Sequence, residues 1–143
     1  MQFSEMHFSE EASRKLGQMK GRTGLTPNIL ARIGFCLSLE NPVRPNPSDF
    51  EGTGYISIKR HVLTGPYDPL FVALLKERCF QDGLGEEQWV NQFKAHMNRG
   101  VLLLDKKLKS LNGLALTLPA EWRQTEAANG RAHLPGLQRH HAG

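Results

Sequence analysis

Residues 27–40 predict a helix that is apolar on most of its sides, and this constrains the fold more than any other feature. Thr26 and Pro27 form a typical helix start, because threonine can cap unpaired amides and proline loses no hydrogen bond at the first helical position. A chain of 143 residues has few other elements to cover every face of such a helix. We therefore expect it to pack against another subunit. Its main apolar stripe contains Ile29, Leu30, Ile33, Cys36 and Leu37, and Phe35 and Leu39 lie on another side.

Two glycines, three residues apart, come shortly before this helix and predict a tight corner. Glycine permits backbone conformations with positive φ and a very close approach of two backbones. We expect the corner to contribute to subunit contacts together with the apolar helix. The residues predicted for oligomerisation are Gly21, Gly24, Ile33, Phe35 and Leu37.

The rest of the pattern is mainly helical, with a weak strand at 2–8. Ser9 is expected to cap a helix that ends near Lys20, and a second strand-like segment covers 55–63. Gly100 is expected to cap the end of a helix. Further helices are predicted at 69–81, 86–98 and 102–111.

The helical pattern fades after residue 112, where small, turn-forming and polar residues dominate. We therefore assign 1–112 to one mainly α domain with a short N-terminal strand, and 113–143 to a C-terminal extension or tail. The longest apolar runs, Phe71–Leu75 and Val101–Leu104, are far shorter than the ~20 residues of a membrane helix. Since no secretory signal is visible either, we expect a cytoplasmic protein that makes no membrane contact.

The chain is basic, with 18 Lys and Arg against 14 Asp and Glu, which permits binding to a polyanion without requiring it. The densest basic cluster lies at 106–109, opposite a stripe of leucines on a predicted helix, and a second group surrounds the glycine corner. Cations and glycine amides can both bind phosphate oxygens. Lysines and arginines that only face solvent would give the same sequence pattern. The candidate DNA-binding residues are Lys15, Lys20, Arg22, Lys106, Lys107 and Lys109.

No arrangement suited to enzymatic chemistry is visible. Residues 17–24 resemble a phosphate-binding loop, but the spacing of the glycines and the preceding helix do not fit one. His96 could suggest a nuclease, yet no carboxylates have the spacing of metal ligands, so a structural histidine near a helix C-terminus is the better interpretation. Cys36 and Cys79 are expected to be buried thiols. We therefore predict no catalytic residue, no metal and no cofactor.

Several segments together resemble one known family. They are the Ser9-capped helix, the Gly21-x-x-Gly24 corner, the stretch Leu25-Thr26-Pro27-Asn28-Ile29-Leu30-Ala31-Arg32-Ile33, the triplet Leu63-Thr64-Gly65 and the segment His96-Met-Asn-Arg99-Gly100. In this combination the chain resembles the DndE family of DNA sulfur-modification proteins over about residues 1–112. The resemblance does not extend to the predicted tail.

The resemblance implies a small helical protein, distantly similar to ribbon-helix-helix proteins, that assembles as a homotetramer and binds nicked duplex DNA. It also implies that the sulfur chemistry belongs to other phosphorothioation proteins with cysteine desulfurase, iron–sulfur and ATPase functions. The expected function is therefore a non-catalytic DNA-binding subunit. One alternative stays open in the binding class, a sequence-specific regulator that uses the N-terminal ribbon. An interaction scaffold whose basic face meets acidic protein partners is an alternative of a different class, and a nickase is a third.

Overall fold

The computed structural model describes residues 1–117 and 119–121. Five helices carry the fold in this part of the chain, joined by short 3₁₀ turns and one small sheet. The helices are α1 (Glu10–Thr23), α2 (Pro27–Glu40), α3 (Arg60–Thr64), α4 (Asp68–Gln81) and α5 (Trp89–Thr117). The strands β1 (Glu5–His7) and β2 (Ser57–Lys59) pair antiparallel. The predicted mainly α class with a short N-terminal strand is confirmed.

The sheet fastens the N-terminus to the middle of the chain. Met6 of β1 lies opposite Ile58 of β2, and both side chains point into the core, where Met6 is fully buried. The predicted strand at 2–8 is therefore correct in kind but shorter than expected. The strand-like segment 55–63 divides into β2 and α3, because the chain turns into a helix at Arg60.

Helix α1 begins and ends as its sequence indicates. The Ser9 hydroxyl oxygen accepts a hydrogen bond from the Ala12 amide at 3.2 Å, which satisfies one of the unpaired amides of the first turn. At the other end Gly24 has a φ of 74° and donates its amide hydrogen to the Lys20 carbonyl. The helix thus continues to Thr23, one turn beyond the predicted end, and Gly24 supplies the left-handed cap.

Helix α2 has the predicted bounds, but its surroundings differ from the expectation. Phe35 is fully buried within the chain, with its ring 5.3 Å from the rings of both Phe71 and Phe93. The prediction that Phe35 faces another subunit is therefore wrong, because aromatic residues of α4 and α5 cover it. Cys36 is exposed, contrary to expectation, whereas Cys79 is buried as predicted.

Helix α5 is continuous where the sequence predicts two helices separated at Gly100. Gly100 lies inside the helix, where it packs against Gly34 of α2. A Cβ atom built on Gly34 would lie 2.6 Å from the carbonyl carbon and oxygen of Gly100, so only glycine fits at this crossing. The glycine therefore permits a close approach of two helices and does not end one.

The chain divides into two units, 1–106 and 107–143, and the division falls within α5. In the second unit, 107–117 are helical, and most of the predicted extension 113–143 lies outside the described residues. The predicted domain boundary after residue 112 stays a prediction. Among the described residues no helix is both long and apolar enough to cross a membrane.

Candidate nucleic-acid interface

Two of the three predicted basic residues of α1 are paired with an acid within the described chain. Lys15 Nζ lies 3.3 Å from Asp105 Oδ2, and Arg22 Nη2 lies 3.1 Å from Asp105 Oδ1. Positions 15 and 22 are two turns apart on the same face of α1, which allows one carboxylate of α5 to meet both cations. Lys20, on another side of α1, is exposed. The structure therefore brings Lys15 and Arg22 together at an acid and leaves Lys20 in solvent.

Asp105 is the residue that the sequence analysis missed at this site. Its side chain is only 3% exposed, so the paired cations stabilise a carboxylate that would otherwise be costly to bury. Asp105 lies four residues after the buried Val101, which places it on the same face of α5, and this spacing was available in the sequence. An acid on a core face predicts a basic partner from a neighbouring helix.

Replacing Asp105 with asparagine is expected to lower the free energy of unfolding by about 2 kcal/mol. The change leaves Lys15, whose side chain is 17% exposed, without its buried counter-charge. The measurement is a denaturant titration. The exposed Asp49→Asn change removes the same charge from the surface and should shift stability by less than about 0.5 kcal/mol. Equal effects of the two changes would contradict a stabilising ion pair.

The second basic cluster lies on α5. Lys106, Lys107 and Lys109 are all exposed, as predicted for a cationic helix face. Lys106 belongs to the first unit, and Lys107 and Lys109 belong to the second. The opposite leucine stripe is buried at Leu104 but 54% exposed at Leu111, so the predicted core stripe does not reach the end of this segment.

The residues predicted for oligomerisation have different environments. A Cβ atom on Gly21 would meet no atom of the described chain within 4 Å, so no close approach within the chain explains this glycine. Gly24 is explained by its positive φ. Ile33 is 42% exposed and Leu37 is half-buried, and these two positions of α2 present apolar surface.

The segment 96–100 holds other parts of the chain onto α5. His96 is fully buried, and its Nδ1 lies 2.8 Å from the Ser38 hydroxyl. Arg99 Nε donates to the same hydroxyl oxygen at 2.8 Å, and its Nη2 donates to the Ser38 carbonyl at 2.8 Å. Asn98 accepts the Ser9 amide hydrogen at 3.0 Å. His96 thus has a structural role in the middle of α5, although the sequence analysis placed it near a helix C-terminus.

Burial lowers the pKa of His96 to about 3, and the positive charges of Arg99 and Arg78 act in the same direction. The ring is held through Nδ1 by the Ser38 hydroxyl, and its Nε2 has no hydrogen-bond partner among the described residues, so nothing in this part of the chain stabilises a second proton on the ring. The ring is fully out of solvent, so no substrate reaches it in this conformation.

The low pKa of His96 predicts acid sensitivity. The unfolded chain binds a proton near pH 6.5 and the folded chain only near pH 3, so His96 contributes stability that is present above pH 6.5 and lost as the pH falls. Between these values the free energy of unfolding should fall by roughly 1 kcal/mol per pH unit. His96→Gln should be less stable at pH 7 but have a flatter profile. Parallel profiles for the two proteins, measured by denaturant titration, would contradict this assignment.

Arg32 joins two further segments of the sequence. Its Nε donates to the Leu63 carbonyl at 2.8 Å, and its Nη2 donates to the Val62 carbonyl at 3.0 Å. A Cβ atom on Gly65, where φ is 57°, would lie 2.6 Å from the same guanidinium. The guanidinium of Arg32 in α2 therefore packs against the triplet at 63–65. Among the described residues no three His, Cys, Asp or Glu side chains are grouped to hold a metal ion.

The chain is similar to proteins of one family. The family model for DNA sulphur modification protein DndE matches residues 5–112. A crystal structure of DndE from Escherichia coli B7A, involved in DNA phosphorothioation modification, has 27% sequence identity and a TM-score of 0.59, and the match covers 73% of this chain and 98% of that one.

A crystal structure of a DndE G21/24K mutant involved in DNA phosphorothioation has 25% identity and a TM-score of 0.58, with coverage of 73% and 99% of the two chains. No curated protein matches the sequence. The family model accounts for most of the chain, and the solved DndE structures share its helical architecture with the short antiparallel sheet. The chain belongs to the DndE family of DNA sulphur modification proteins.

Proposed function

We propose that this chain is the non-catalytic DNA-binding subunit of a DNA phosphorothioation system and that it holds the phosphates of nicked duplex DNA. The observation that carries the proposal is that Lys106, Lys107 and Lys109 of α5 are each exposed, in a member of a DNA modification family. Clustered lysines on a helix can bind successive phosphates of a DNA backbone, and such contacts do not depend on the base sequence. Lys20 is a further candidate contact because its side chain is exposed.

The non-catalytic part of the proposal rests on how the chain uses its polar side chains. His96, Arg78 and Arg99 are occupied with Ser38 and with backbone carbonyls of residues 38–43. These contacts close the C-terminal end of α2, where carbonyl groups lack partners of their own. These three side chains therefore support the fold, and we assign the sulfur chemistry to other phosphorothioation proteins.

A preference for nicked DNA is expected where binding requires the duplex to bend, since a break in one strand lowers the cost of deforming it. The test is a titration of the full-length protein against intact, nicked and single-stranded DNA of the same length. We expect the tightest binding to nicked duplex. Equal and negligible binding to all three would favour the scaffold function, and dependence on base sequence would favour the regulator.

We propose that the protein acts as a homo-oligomer, most simply a tetramer, because assembly multiplies the lysine face into a larger positive surface. Exposed apolar side chains on two helices support this. They are Ile33 of α2, which is 42% exposed, and Leu70 and Leu74 of α4, which are 55% and 37% exposed. Phe35 is not part of this surface.

Ile33→Asp is expected to reduce the molar mass of the particle in light scattering to that of a smaller assembly or of the 16.0 kDa monomer. A carboxylate in an apolar subunit contact would be desolvated without a partner. Val43→Asp, at a connector residue that is 67% exposed, is the matched control and should keep the wild-type mass. A wild-type particle that is already monomeric would refute the oligomer.

The scaffold is the second candidate, and one observation favours it. Phe80, near the end of α4, is 80% exposed, which is unusual for a large aromatic side chain without a partner. An aromatic residue in solvent is a typical anchor of a protein contact. The regulator has less support, because the exposed residues of β1 include Glu5, an acid that would repel a phosphate-lined groove.

A further inference from the structure

A cavity of about 320 Å³ lies between the connector residues 44–47 and the start of α5. The second wall is formed by Leu84, Gln88 and Gln92. Its volume is at the lower end of the range for small-molecule sites, about 300 to 1,000 Å³. The cavity lies away from the lysine cluster in sequence and contains none of the residues predicted to contact DNA.

The walls of this cavity are held in place by hydrogen bonds. The Val43 carbonyl accepts a hydrogen bond from Arg78 Nη2 at 3.2 Å, which fixes the chain directly before the cavity. The Asn46 side-chain oxygen accepts the Ser48 amide hydrogen at 3.1 Å and so fixes the opposite end of the connector. A wall that is ordered in advance loses little conformational entropy when a ligand binds.

Gln92 suits the cavity to a ligand that carries a hydrogen-bond donor. The side chain is 97% buried, since only 3% of the residue is exposed, and its Nε2 donates to the Pro45 carbonyl at 3.3 Å. This contact fixes the orientation of the amide, because a carbonyl can face only its nitrogen. The amide oxygen Oε1 then has no partner among the described residues. It is closed to solvent in this conformation, so a ligand reaches it only if the 3.3 Å contact between Gln92 and Pro45 gives way.

The exposed end of the cavity offers hydrogen-bond donors and a positive charge, whereas the Gln92 end offers an acceptor. Arg44 is exposed and makes no ion pair within the described chain, and the Asn46 amide nitrogen is a further donor there. Within the described part of the chain, no acidic side chain lines the cavity. A ligand that fits must therefore carry an anionic group for Arg44 and a nitrogen–hydrogen donor for Gln92. Between them, the partly exposed Pro47 and Leu84 offer a small apolar surface against which a ring can lie.

We propose that this cavity binds a single nucleotide, with its phosphate at Arg44 and the exocyclic amino group of its base at Gln92 Oε1. The identification of the ligand as a nucleotide rests on the proposed DNA-binding function, since a peptide carboxylate would satisfy Arg44 equally well. A nucleotide next to a strand break can leave the base stack at a lower cost than one in an intact duplex. The cavity would thus receive a terminal nucleotide of nicked DNA.

The test is calorimetric titration of the full-length protein with dAMP, with its N6,N6-dimethyl analogue, with inorganic phosphate and with a short peptide that has a free carboxylate. We expect dAMP to bind at least about tenfold more tightly than the dimethyl analogue, which lacks the donor for Gln92, and more tightly than phosphate. Arg44→Ala and Gln92→Met should each weaken dAMP binding at least about tenfold. Arg14→Ala, at an exposed arginine outside this cavity, is the control and should leave it unchanged.

Each alternative has a distinct outcome. Phosphate and dAMP binding with equal affinity would reduce the site to an anion site and overturn the nucleotide. Binding of the peptide but not of dAMP would assign the cavity to a protein partner. If Gln92→Met kept wild-type affinity and raised thermal stability, Oε1 would be only a buried polar atom without a role. Since dAMP binding is measured without DNA, its failure leaves the affinity for nicked duplex as a separate result.

Discussion

Replacing Gly100 with valine is expected to lower the free energy of unfolding by about 3 kcal/mol, the upper end of the range for overpacking a core. A Cβ atom at this position would lie 2.7 Å from the Phe35 amide nitrogen and even closer to the Gly34 backbone. Backbone atoms cannot rotate away as a side chain can, so α2 and α5 would have to separate. The separation would also disturb the aromatic contacts of Phe35 with its neighbours.

The control is the same substitution at Gly113, which lies on the same helix and whose added Cβ would meet no atom of the described residues within 4 Å. Valine is a somewhat better helix former than glycine, so this change should be neutral or slightly stabilising. Denaturant titrations of both variants provide the comparison. If valine at Gly100 caused no more destabilisation than valine at Gly113, the close crossing of α2 and α5 would be incorrect.

The helix starts were predictable because they depend on local chemistry. Ser9 and Pro27 mark their helices by capping and by proline geometry, which act within one turn of the chain. Gly100 was misinterpreted because a glycine that caps a helix and a glycine that lets two helices touch look the same in one sequence. Only the position of Gly34 on another helix distinguishes them.

The candidate site was predictable to a similar extent. The exposure of Lys106 and Lys107 follows from the periodicity of a helix, and the structure agrees. The pairing of Lys15 and Arg22 with Asp105 depends on how α1 packs on α5, which no local pattern encodes. The burial of Phe35 depends in the same way on residues of distant helices.

Changing Lys106, Lys107 and Lys109 together to alanine is expected to weaken DNA binding strongly, with similar factors for unrelated sequences. Each lost phosphate contact should reduce the slope of the logarithm of affinity against the logarithm of salt concentration by about 0.9, so three contacts would reduce it by about 2.7. The three side chains are exposed, so thermal stability should change little. The measurement is the affinity of both proteins across a salt series, with the oligomeric mass checked in parallel.

A matched comparison uses the double variant of Lys15 and Arg22 to alanine. These cations share the Asp105 carboxylate, which lowers the charge that they can offer to a phosphate. The loss of each should therefore reduce the salt slope less than the loss of Lys106 or Lys107. Stability should show the reverse order, because Lys15 and Arg22 both balance the buried Asp105 carboxylate. An unchanged slope in a correctly assembled triple variant, with a reduced slope in the double variant, would move the DNA contact from α5 to α1.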